Sequence, residues 1–271
     1  MRSMAIGIVC GLSLVCGCSE ESPLVPQESL VVVRAYLYAN RPIRDIRLTS
    51  TLPLDTQSDV ASPINDAKVT LIKNGARYSL QPSAGDSGYY HYDGVDLIVK
   101  PGDRFTIEVE HFAQIATGTT VVPSAPENVS ISSDTLEIPD FSNISSGDFP
   151  DFRSAQLSVH WSNSDASSYY LVIENVDANP QQIESSFPTS PLRIITQPTS
   201  RDSLIVSAFT LTHFGRHRAT LYRVNQEYVD LYASREQDSR DLNEPLTNIK
   251  NGLGIFTAFN SDSVFFYARK K

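Results

Sequence analysis

Beyond residue 18 the sequence contains no cysteine; Cys10, Cys16 and Cys18 are the whole supply. The folded body therefore has no disulfide, no thiolate nucleophile and no cysteine-ligated zinc, which removes the enzyme classes built on them. Positive charge is scarce as well: 22 Lys and Arg stand against 31 Asp and Glu, for a formal charge of -9. Such a chain repels phosphate backbones, and no basic cluster of the kind nucleic-acid binding needs is present, so a nucleic-acid partner is excluded. With 13 Gly and 16 Pro in 271 residues, neither collagen nor extended disorder fits the composition. After the N-terminal run, no apolar segment approaches the ~20 residues that a transmembrane helix needs. The nucleophile elbow Gly-x-Ser-x-Gly, the phosphate-cradling Gly-x-x-x-x-Gly-Lys and the metalloprotease His-Glu-x-x-His are all absent. The expectation is a non-enzymatic protein with no catalytic residue, no cofactor and no metal. The carboxylates are plentiful but scattered; a fold pairing two of them across a cleft would make a surface hydrolase on glycan or peptide, which is the alternative reading.

What is there begins with an address. Arg2 precedes the apolar run from Met4 to Val15, the layout of a secretory signal over residues 1–17. Val15-Cys16-Gly17-Cys18 resembles a bacterial lipobox, in which a small residue precedes the lipidated cysteine. Only a cysteine thiolate makes the thioether to diacylglycerol, and several acyl chains anchor where one does not. Cys18 is the candidate lipidation site; Cys16, preceded by bulky Val15, is the weaker one. Ser19, Glu20 and Glu21 resemble the signal that exports Bacteroidota lipoproteins to the outer face of the outer membrane, against a plain reading as a solvated charge run. Residues 18–28, stiffened by Pro23 and Pro26, read as a tether. The expected location is the outer membrane, lipid-anchored through Cys18 and exposed at the cell surface.

From Ser29 onward the apolar residues keep a strand rhythm, broken every ten or so residues by turn formers, which is the pattern of sandwich folds. The fold class expected is mainly β: two β-sandwich domains, immunoglobulin-like or fibronectin III-like, with one short helix in the C-terminal half. The first domain spans 29–122, with strands Leu30 to Tyr38, Ile43 to Thr49, Ala67 to Lys73, Arg77 to Gln81, Tyr89 to Tyr92, Arg104 to Glu110 and Ile115 to Val122. Asn74-Gly75 supplies the positive φ angles of a tight hairpin, and Pro101-Gly102 makes a second turn. Pro123 and Pro126 mark a linker over 123–128. The second domain, 129–271, is expected to hold strands Val129 to Ile138, Ala155 to Trp161, Tyr169 to Val176, Arg193 to Thr196, Leu204 to Thr210 and Ala219 to Val224. Asn225 caps a helix running to about 238, and Gly252 to Phe259 and Ser263 to Tyr267 close the domain as a hairpin turning at Asn260-Ser261-Asp262. Trp161, the single tryptophan, is expected in the core, with the tryptophan-then-tyrosine spacing of fibronectin type III strands.

Few residues carry candidate chemistry. His213 and His217 are four apart but straddle Gly215 beside a strand, so surface or half-buried histidines are preferred to a metal pair. His160 should point away from the Trp161 face, and His91 and His111 read as packing or surface residues. Asp134, Asp140, Asp148 and Asp151 surround a long loop over 139–154 without the spacing of a calcium loop, and read as calcium ligands or as a solvated loop. In that loop Phe141, Phe149 and Phe152 either offer a hydrophobic contact to a partner or tuck the loop against the sandwich.

These segments resemble the Bacteroidota lipoprotein family grouped as domain of unknown function 4249. The resemblance rests on the lipobox, Leu30-Val31-Val32-Val33, Asn65-Asp66-Ala67-Lys68-Val69-Thr70-Leu71, Gly88-Tyr89-Tyr90, Pro101-Gly102-Asp103, Val122-Pro123, and the stretch from Asn243 to Phe256 with its Asn248-Ile249 pair and Gly252-Leu253-Gly254 turn. It implies a surface lipoprotein of two sandwich-like domains, often encoded beside a TonB-dependent outer-membrane transporter, and it implies no chemistry. The functional expectation is a binding or accessory component of a TonB-dependent nutrient uptake system, with the membrane, through Cys18, and the transporter as partners; an adhesin is a further alternative.

Overall fold

A computed structural model of the chain describes residues 30–52, 60–139, 155–183, 193–234 and 246–271. The first part of the chain forms β1 (Val31–Tyr38), β2 (Asp45–Ser50), β3 (Lys68–Lys73), β4 (Ala76–Ser79), β5 (Gln81–Pro82), β6 (Tyr89–His91), β7 (Arg104–His111) and β8 (Gln114–Val121). The second part forms β9 (Glu127–Ile131), β10 (Thr135–Ile138), β11 (Gln156–Ser162), β12 (Ser168–Asn175), β13 (Arg193–Ile195), β14 (Ser203–Ser207) and β15 (Gly215–Val224). The helix α1 (Gln226–Ser234) follows, and then β16 (Ile249–Lys250) and β17 (Leu253–Lys270).

Period-two alternation decides which way each strand faces. On β1, Val31, Val33, Ala35 and Leu37 are buried while the residues between them are half-exposed. Phe105, Ile107 and Val109 do the same on β7. The β3–β4 hairpin closes at Lys73↔Ala76, with Asn74 at φ 52° and Gly75 at φ 82°, as its Asn-Gly requires.

The strands assemble into one large sheet and two small ones. The large sheet has nine strands in the order β13-β12-β15-β17-β1-β2-β6-β5, with β10 also paired to β17. A five-stranded sheet, β16-β8-β7-β3-β4, covers its β1–β2–β6 half, and the core between them includes Leu37, Ile46, Leu71, Ile107 and Phe256. A three-stranded sheet, β14-β11-β9, covers the other half over Leu157, Trp161, Tyr169, Leu221 and Phe266. The protein is thus mainly β, with two sandwiches and, among the described residues, one α-helix, and the sandwiches share a sheet.

The shared element is β17. Its first half runs parallel to β1, from Val32↔Leu253 to Tyr38↔Phe259, and its second half runs antiparallel to β15, from Val224↔Phe259 to Gly215↔Ala268. Phe256 and Ala258 enter the first core, and Phe266 and Ala268 the second. These four lie on one face of the strand, since their numbers are all even. Phe259, of odd number, points the other way.

This overturns the expected hairpin at Asn260-Ser261-Asp262. Those residues sit inside one continuous strand opposite Arg223, Tyr222 and Leu221. None has a positive φ, and ten residues of β15 offer pairing without interruption. Residues 249–259, expected in the second domain, complete the first sandwich instead: Ile249 pairs with Gly118 and joins the first core with Phe256 and Ala258. The single strand expected over Val129 to Ile138 is two, broken at Ser132-Ser133-Asp134, with β9 in the small sheet and β10 on β17. The strand expected over Leu204 to Thr210 ends at Ser207, whose side chain accepts from Phe209 N–H and starts a 3-10 turn.

The segment between the sandwiches is pinned. Pro123 O accepts from Asn260 Nδ2 at 3.0 Å, Val122 O accepts from Gly102 N–H at 2.8 Å, and Ser124 Oγ accepts from Arg223. Arg223 also reaches Asp165 and Ser167. Asn225 Nδ2 donates to Val121 O at 2.9 Å and Thr120 Oγ1 donates to Glu227 Oε1 at 2.9 Å, so α1 starts against the end of β8.

Candidate functional site

At one end of the first sandwich, the loops β1–β2 and β6–β7 enclose a cleft of about 350 Å³ lined by Asn40, Arg41, Tyr92, Val95, Ile98 and Val99, among others. The backbone fixes its walls. Asn40 takes the left-handed φ of 58°, which asparagine tolerates, and its N–H donates to Val99 O at 2.9 Å. Tyr92 N–H donates to Ile43 O at 3.0 Å. Lys73 reaches in from β3, donating to Ile98 O at 2.7 Å and pairing with Asp103 at 2.5 Å, and Asp103 accepts from Lys100 N–H. Lys73 and Asp103 are only 16% and 17% exposed, so the loop rests on a partly desolvated ion pair rather than on a surface one.

The rim is less settled than the walls. Val95 is 94% exposed and Ile98 49%, apolar side chains in water with nothing packed over them among the described residues. Tyr92 donates to Asp96 Oδ1 at 2.7 Å, and that hydrogen bond to a carboxylate pushes its hydroxyl pKa up. Gly94 leaves room for this ring, because a Cβ there would stand 2.4 Å from the Tyr92 hydroxyl. Arg41 makes no ion pair among the described residues; its guanidinium lies 5.6 Å from the centre of the Tyr38 ring. A small concavity with apolar rim, phenol and cation suits an amphipathic ligand or the tip of a partner's loop.

Tyr38 links the cleft to an aromatic cluster on the outer face of the large sheet. It stacks on Phe259 at 5.2 Å, and Phe259 meets Tyr36 at 5.5 Å and Tyr228 of α1 at 5.1 Å, both edge-on. Tyr170 stacks on Tyr222 at 5.0 Å and on Tyr228 at 5.4 Å. Phe259 is the one residue of β17 that pairs with both β1 and β15, so the cluster covers the seam between the sandwiches. Burial pushes the Tyr170 and Tyr38 hydroxyls well above the usual tyrosine range, with the Asp45 carboxylate adding to the effect at Tyr38. Both rings stay neutral at any physiological pH and serve as structure and contact, not as acids.

The sequence candidates are not brought together. Phe141, Phe149 and Phe152, Cys18 and Ser19-Glu20-Glu21 lie outside the described residues, as do Asp140, Asp148 and Asp151. His217 is buried, against the expectation of a surface or half-buried side chain: its ring stacks on Phe266 at 5.2 Å, and Nδ1 lies 3.0 Å from Gly215 O. His213 turns to Thr212 Oγ1 instead. His160 is exposed, opposite buried Trp161, which packs on Tyr169 at 5.5 Å. His91 meets Asp93 and His111 meets Asp66. Among the described residues no three His, Asp or Glu are grouped to hold a metal ion. Sequence reasoning passed over the cleft because its parts are 50 residues apart. One signal was available: residues 34–47 of this acidic chain carry Arg34, Arg41, Arg44 and Arg47 against Asp45 alone.

The model of the family described as a domain of unknown function, DUF4249, matches residues 20–264. The chain belongs to this family. No curated protein is significantly similar to this DUF4249 member. Among solved structures, the FN1–FN3 domains of chicken CNTN1 match 88% of the chain and 66% of their own at 12% identity and a TM-score of 0.28. Domains from titin match 89% and 67% at 8% identity and a TM-score of 0.21. At those scores no residue or role is carried across.

Proposed function

We propose that this DUF4249 protein is a non-enzymatic, surface-exposed outer-membrane lipoprotein, held by lipid on Cys18, that binds cargo or a barrel mouth as an accessory of a TonB-dependent nutrient uptake system. The observation that carries the binding role is the cleft between Arg41 and Ile98: braced walls, exposed Val95 and Ile98, and a guanidinium without a counter-charge among the described residues. Recognition by loops on a rigid sandwich is the usual use of such a scaffold. The lipobox ending at Cys18 supports the anchor, and confinement to a membrane plane would raise the protein's effective concentration near a transporter.

The test is purification of the tagged, lipidated protein from native outer membranes in mild detergent, with mass spectrometry of what accompanies it. A stoichiometric TonB-dependent barrel, lost when Val95 and Ile98 are both replaced by Asp, is the expected result. Recovery of the lipoprotein alone, from membranes in which known complexes survive, would sink the accessory role.

A further inference from the structure

Arg34 on β1 and Arg47 on β2 stand directly opposite one another in the antiparallel ladder. Their neighbours Val33, Ala35, Ile46 and Leu48 point into the first core, so both arginines share the outer face of the large sheet. Like charges opposed in this way destabilise a strand pair. Among the described residues neither forms an ion pair. Asp45, two residues before Arg47 on the same face, is engaged by Tyr38, whose hydroxyl donates to it at 3.4 Å.

What holds the two cations together is Tyr89, which pairs with Arg47 from β6. The guanidinium carbons of Arg34 and Arg47 lie 5.8 and 5.6 Å from its ring centre, and Arg34 Nη2 donates to its hydroxyl at 2.6 Å. Arg47 spends Nε on Ser87 O at 3.2 Å. Each guanidinium has five N–H donors in a rigid fork, so most are left over. Arg34 Nε is closed off from solvent and donates to nothing. Thr257, fully buried one step along the same face, has a hydroxyl with no partner either. The protein's own hydrogen bonds therefore do not explain why two cations converge here.

We infer that Arg34, Arg47 and Tyr89 form an oxyanion-binding site that takes a carboxylate or phosphate group of a ligand. Two adjacent planar forks match the paired oxygens of either group, and the anion removes the repulsion between the arginines. Tyr89 is a positioning residue, since both guanidinium groups rest against its ring. Four residues of extended strand, roughly 13 Å, separate Arg34 from Tyr38 at the edge of the cleft. The site depends on no transporter and stands or falls apart from the proposed function.

The test is calorimetric titration of the full chain with inorganic phosphate and with glucuronate, with glucose as the uncharged control, repeated on Arg34→Gln, Arg47→Gln and the charge-preserving Arg47→Lys. Saturable binding of at least one anion, weakened roughly tenfold or more in each Gln variant and weakened by added salt, is expected. Preference for phosphate assigns a phosphorylated ligand and preference for glucuronate an acidic saccharide. Melting curves guard against misfolding: with the site empty, Arg47→Gln should melt no lower than the native protein, and the anion should raise the melting temperature of the native protein more than that of either Gln variant. Absence of saturable binding up to millimolar anion, or equal binding by the Gln variants, overturns the site and leaves Tyr89 as a purely structural cushion for two arginines.

Discussion

At the scale of the residue, His217 offers the cleanest readout. Burial against Phe266 pulls its pKa below the usual histidine value, although the Gly215 carbonyl at Nδ1 opposes the shift. The folded state thus binds a proton less readily than the unfolded chain, whose histidine titrates near 6.5. The sign follows: the full stability is present above about pH 6.5 and is lost progressively as the pH falls through the folded-state value. Melting temperature between pH 7.5 and 5 should fall more steeply for the native protein than for His217→Phe, which keeps the ring stack and removes the titration. Equal slopes would assign the acid sensitivity elsewhere. Gly254 is the second such residue. Its φ is 102°, and an added Cβ would stand 2.0 Å from Val33 O in the β1–β17 ladder. Gly254→Ala should cost at least about 1–3 kcal/mol in denaturant unfolding. Alternation of side chains made most such placements legible in advance, Trp161 inside and His160 outside among them. His217 escaped because its burial comes from Phe266, on a partner strand that sequence could not place.

At the scale of the element, most of the strands from β1 to β8 begin and end within about two residues of where turn chemistry put them, because Asn74-Gly75 and Pro101-Gly102 carry their geometry locally. The strand expected over Arg77 to Gln81 is instead two, β4 in the five-stranded sheet and β5 in the large one. The C-terminal segment was misread for the opposite reason: Asn260-Ser261-Asp262 has turn composition, and what straightens it is ten residues of β15 alongside. Tertiary pairing overrode local preference. Phe259 bears the consequence, since it meets five tyrosines across the seam. Phe259→Ala should destabilise by about 3–5 kcal/mol, as for other large buried aromatics. The tyrosines around it give an alkaline counterpart to the histidine. With Tyr38 and Tyr170 raised in the folded state, their contribution is full below the unfolded tyrosine pKa of about 10 and is lost as the pH climbs beyond it. Tyrosinate absorbance should therefore appear in two phases, the exposed rings first and the cluster only together with unfolding. A single smooth titration at the ordinary value would show the cluster to be open.

At the scale of the whole molecule, a shared strand makes two sandwiches one cooperative unit. Scanning calorimetry should show one transition, where two independent domains joined by a linker would show two. A chain ending at residue 245 lacks β16 and β17, and should lose protease resistance in the first sandwich as well as in the second, despite keeping β1 to β8 intact in sequence. The same feature bears on how such a chain travels. Threaded through a narrow pore from its N-terminus, it delivers β1 first and the partner of β1 last, since Val32 must wait for Leu253. Closure at so long a sequence separation is slow, and until it happens the first eight strands have no complete core to settle into. The last strand is thus a built-in delay: in a chain threaded that way, the sheet that joins the two sandwiches closes only when the tail has come through.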